Sequence, residues 1–87
     1  MKQIARKNRR IRMLRWVFQR ENRLLTCQLD RDGRQPSYTL SLVPHWDLRQ
    51  AASETFDAGV SAFRRHAAVA DRLRRQGWTL AAYGVAR

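Results

Sequence analysis

Eighty-seven residues hold one small domain and leave no material for a second core. A formal charge of +11, from 18 Lys and Arg against 7 Asp and Glu, points to an anionic partner or to none. The single cysteine, Cys27, excludes an intrachain disulfide, and no apolar run approaches the length of a membrane span.

The N-terminus is charged without a following apolar stretch, so it does not read as a secretory signal. Arg9-Arg10 resembles a twin-arginine signal, but Arg15, Gln19 and Arg20 interrupt the segment that should be apolar. We expect a cytoplasmic protein without membrane attachment, and a lone cysteine fits a reducing compartment.

The charge is unevenly spread. Residues 1–20 contain Lys2, Arg6, Lys7, Arg9, Arg10, Arg12, Arg15 and Arg20 and no acid, leaving only +3 for residues 21–87. Residues 1–12 have no sustained period and read as a disordered basic arm preceding a single domain over 13–87. The arm reads either as a tether to nucleic acid or another acidic surface, or as a plain solvated tail. Met13 offers an alternative start, which fits the plainer reading.

From Leu14 the apolar period becomes two. Leu14, Trp16 and Phe18 alternate with Arg15, Val17 and Gln19 as a half-buried strand. Glu21-Asn22 reads as a tight hairpin turn, followed by a second strand with Leu25, Cys27 and Leu29 on one face. Asp30 to Pro36 is a turn by composition. Tyr38, Leu40 and Leu42 then alternate in a third strand that Pro44 ends. His45–Ser53 carries no clear pattern, and a short fourth strand near Ser53–Phe56 would feed the next element.

That element is the best-defined stretch, a helix entered after Asp57 and left at Gly77. Asp57 is the candidate N-cap, its carboxylate placed to accept from Gly59 or Val60. At 100° per residue, Gly59, Val60, Phe63, His66, Ala67, Ala70 and Leu73 share the inward side, with Ala62 and Val69 at its margin. Ser61, Arg64, Arg65, Ala68, Asp71, Arg72 and Arg75 form the outer face. Gly59 on the inward side would allow close approach to a sheet. Gly77 fits the left-handed C′ position, which places Trp78 at C″ over Leu73 in a Schellman ending. Trp78–Tyr83 is either a last strand or an extended tail. The order of short strand, Asp-capped helix and Gly-aromatic ending is similar to that of small modules such as WGR domains. The Trp-Gly-Arg signature is absent, so no residue role is carried over.

The predicted fold is α+β in two layers: an antiparallel β-meander of three to five strands with one long amphipathic helix on one face, in the order β-β-β-(β)-α-(β).

The chemistry-bearing residues are few. Trp16, Phe18 and Tyr38 lie on the face the helix must cover, which makes them core rather than a base-stacking platform. Trp46 is either a binding anchor or a plug on the open end of the core, and we favour the plug. His66 reads as a buried imidazole bonded to a strand rather than a general base, since no neighbour in sequence completes a site. Cys27 reads as a small buried hydrophobe. His45 and Asp47 could orient each other, but no nucleophile follows at a catalytic spacing. We assign no catalytic residue, metal ligand, cofactor or small-molecule ligand.

Two functions follow. The first is a small non-catalytic interaction or structural protein that self-associates as a homodimer, because one helix cannot cover a wide sheet. The alternative is a nucleic-acid-associated protein gripping phosphates with Lys2, Arg6, Lys7, Arg9, Arg10, Arg12 and Arg15, and with Arg64, Arg65, Arg72 and Arg75 of the helix.

Overall fold

The computed structural model describes residues 10–33 and 37–85. Five strands form one antiparallel sheet: β1 (Arg10–Arg20), β2 (Arg23–Asp32), β3 (Tyr38–Pro44), β4 (Ala52–Phe56) and β5 (Thr79–Val85). Their order across the sheet is β4-β3-β2-β1-β5, and the helix α1 (Gly59–Arg75) lies on one face. The first four strands are a meander. α1 then carries the chain from the β4 edge to the opposite edge, where β5 pairs with β1.

The alternating apolar residues of β1, β2 and β3 face the helix as their period requires. Phe18, Leu25, Cys27, Leu29 and Leu40 are buried against Ala62, Val69, Ala70 and Leu73. Leu14, Trp16, Tyr38, Leu42, Phe56 and Trp78 surround this cluster, half-buried. Gly59 permits the close approach at the start of α1: a Cβ there would stand 3.3 Å from the Tyr38 ring.

The β1–β2 hairpin closes at Glu21-Asn22 as its composition indicates, with Glu21 in the left-handed region at φ 57°. β2 runs on to Asp32, beyond the expected turn at Asp30, because β1 begins early enough to pair with it. Arg10 faces Asp32 and Arg12 faces Asp30. Arg10–Arg12 therefore belong to the sheet rather than to a disordered arm, which corrects the boundary placed at residue 13. Met1–Arg9 lie outside the described residues.

The helix end is a complete Schellman motif. Trp78 N donates to Leu73 O at 3.0 Å, Gly77 N donates to Arg74 O at 3.0 Å, and Gly77 has φ 96°. The start differs from expectation. Ala58 occupies the N-cap position with no side-chain hydrogen bond, so Asp57 does not cap the helix. Its carboxylate lies one residue too far from the first free N–H groups.

The inward face also differs. The buried helical residues are Ala62, His66, Val69, Ala70 and Leu73, whereas Val60 is 66% and Phe63 40% exposed. At 100° per residue this is a rotation of roughly 60° from the expected face. Ala62 and Ala70, both small, let the helix axis approach the sheet, while Phe63 swings to the flank.

Candidate functional site

The arginines do not converge. The bulge at Met13 resets the alternation of β1, so Arg10, Arg12 and Arg15 all project from the sheet face opposite α1. Arg64, Arg72 and Arg75 project from the outside of α1, on the other side of the molecule, and Arg65 lies on its β4 flank beside Leu40 and Leu42. Arg65 Nε donates to Glu54 Oε1 at 2.9 Å, and Arg75 pairs with Asp71 at 3.1 Å one turn earlier. The ladder sets Arg10 and Arg12 opposite Asp32 and Asp30. Arg12 and Arg15 do share a concavity of about 150 Å³ with Val17, Ala82, Tyr83 and Gly84. Lys2, Arg6, Lys7 and Arg9 lie outside the described residues.

The loop after β3 is built from local hydrogen bonds. Asp47 caps a 3-10 turn over Leu48–Gln50, its carboxylate accepting from Arg49 N at 3.1 Å and also from Arg49 Nε and Gln50 Nε2. These bonds, led by Arg49, hold the Asp47 carboxyl below its ordinary range. His45 instead hydrogen-bonds the Thr26 hydroxyl through Nε2 at 2.6 Å. His45 and Asp47 thus serve separate partners. Trp46 stacks on Trp78 with centroids 5.9 Å apart and carries the Arg23 guanidinium at 4.8 Å. It covers the Trp78 end of the core while staying 40% exposed.

His66 is buried between helix and sheet, edge-on to the Trp16 ring at 4.9 Å. Its Nε2 has no hydrogen-bond partner among the described residues. Burial pushes its pKa down, with the Cys27 backbone acting in the opposite sense. Cys27 lies fully buried beneath the helix, and burial pushes its thiol up to about 12. A thiol so placed is neutral and shielded, not a nucleophile.

The surface that sequence reasoning missed is apolar. α1 lies over β2, β3 and β4. In β5, Tyr83 sits opposite Trp16 and Leu80 opposite Phe18, so both belong to the helix-side face. Yet Tyr83 is 73% and Leu80 38% exposed, because the helix packs mainly on β2, β3 and β4. His66 and Arg74 both meet Trp16, which identifies the flank of α1 that borders this open strip. Phe63 and Ala67 lie on that same flank by helical spacing. The available signal was the absence of charge in Thr79–Val85, a property it shares with β3 and which therefore did not single it out.

No family model matches this chain, and neither the curated proteins nor the solved structures contain a significant match.

Proposed function

We propose that the protein is a small non-catalytic interaction module that acts as a homodimer. The observation carrying this reading is the half-covered sheet, whose open side displays Leu80 and Tyr83, while Phe63 and Val60 are exposed on the helix. Five strands about 4.8 Å apart make a sheet roughly twice as wide as one helix. Exposed apolar surface of this kind marks a binding face. Sedimentation equilibrium in the micromolar range tests it: the expected mass is that of two chains, and a clean monomer rejects it.

A second reading is favoured by Arg12 and Arg15, which line one concavity together with Val17, Ala82, Tyr83 and Gly84. Two guanidinium groups at one concavity suit a phosphate of a nucleic-acid backbone. On this reading Lys2, Arg6, Lys7 and Arg9 add positive charge for the same polyanion. The helix arginines contribute less, because Arg65 and Arg75 are already paired with acids.

A further inference from the structure

We infer that the occupant of the open strip is a second copy of this chain, docked by antiparallel pairing of β5 with its own two-fold mate. This rests on the self-association reading above and assigns it a surface. The two sheets then become continuous through their β5 edges, and each protomer's Tyr83 covers apolar strip on the other.

Three observations converge on β5, and a fourth limits the run it offers. It pairs with β1 along one side only, so among the described residues the main-chain groups of its other side have no strand beside them. Its sequence, Thr79–Val85, contains no Lys, Arg, Asp or Glu and no proline, the residues that ordinarily guard a free edge. The opposite edge is different: β4 carries Glu54, which is tied to Arg65, and α1 lies over that side of the sheet. Finally, β5 is bulged at Ala81, where Val17 pairs with Ala82 but Phe18 with Leu80. The bulge interrupts the edge, so the regular run available for pairing is the stretch beyond it.

Charge decides between a second copy and a foreign partner. An anionic partner of a chain with net charge +11 is drawn to the arginines, not to its one uncharged edge. Two copies repel each other least where neither presents charge, and an antiparallel edge is self-complementary under a two-fold axis. A stable interface takes about 800 Å² per partner. The regular run Ala82–Val85 is about 13 Å long and short of that alone. Tyr83, 73% exposed, and Phe63, 40% exposed, add apolar area beside it.

The test uses the full chain and two substitutions. Tyr83→Lys places like charges across the axis and should weaken the dimer at least about 30-fold in sedimentation equilibrium, the scale of a lost hot spot. Gly84→Cys fits without crowding, since nothing lies within 4 Å of a Cβ there, and should give dimers with a short bis-maleimide. Ser53→Cys on β4 is the matching control and should not cross-link. Cross-linking reports on the surface even if the lysine variant proves unstable. If the parent is dimeric but Ser53→Cys cross-links and Gly84→Cys does not, the β5 assignment is overturned while self-association stands. A monomeric parent overturns both.

Discussion

His66 and Cys27 show how burial sets residue chemistry in this core. The imidazole stands between helix and sheet with Nε2 unpartnered among the described residues, so the folded state disfavours its protonation. The unfolded chain takes up a proton near the ordinary value of about 6.5, while the folded chain resists until lower pH. Stability is therefore full above about pH 6.5 and falls as pH drops below it, by at most about 1.4 kcal/mol per unit. Urea midpoints at pH 7.5 and 5.5 should show this loss in the parent and in His45→Gln. His66→Leu should remove it. An equal loss in His66→Leu assigns the effect elsewhere. Cys27, neutral and covered, should resist iodoacetamide at pH 8 in the native state and react on unfolding. Labelling of the native protein at the rate of a free thiol shows that the helix lifts readily.

Among the elements, the helix end is the most fully determined. Gly77 at φ 96° and the bond from Trp78 N to Leu73 O turn the chain back over the core toward β5. Gly77→Val forces a β-branched residue into the left-handed region and should cost about 1–3 kcal/mol. Trp78→Ala removes a half-buried ring and its stack on Trp46. It should cost about 2 kcal/mol, less than a fully buried tryptophan. Thermal melts check both, and parent-like melting of the pair shows that the Schellman ending contributes little. The helix start has no such device, since Ala58 offers no cap. Ala58→Ser should therefore stabilise by about 1 kcal/mol, provided its hydroxyl reaches the second or third helical N–H.

At the scale of the whole molecule, basic residues occupy both faces, but only β1 gathers Arg10, Arg12 and Arg15 on one of them. If that face binds nucleic acid, Arg12→Ala with Arg15→Ala should flatten the dependence of log affinity on log salt by up to about 2 units. Arg64→Ala with Arg72→Ala, on the opposite layer, should change it little. A chain beginning at Met13 loses six cations, for up to about 5 units. It also loses the pairing of Arg10–Arg12 with β2, so its melting temperature must be read beside its binding. No salt-dependent binding to duplex or single strands at low ionic strength removes the nucleic-acid reading.

The period of two in β1, β2 and β3, the Glu21-Asn22 turn, the stop at Pro44 and the Gly77-Trp78 ending were all legible in the sequence. Each depends on interactions within a few residues or on one apolar face. Such signals survive whatever the rest of the chain does. The rotation of α1 was not legible, because Ala62, Phe63 and Ala70 are all apolar and periodicity alone cannot rank them. Proximity to the sheet favours the small side chains, and that became visible only with the helix docked. The place of β5 is likewise tertiary: TLAAYGV reads as a strand or a tail until β1 offers an edge 60 residues away. The same step decided the arginines. Their number is a property of the sequence, but the strand bulge at Met13 and the two-layer fold sent them to opposite sides.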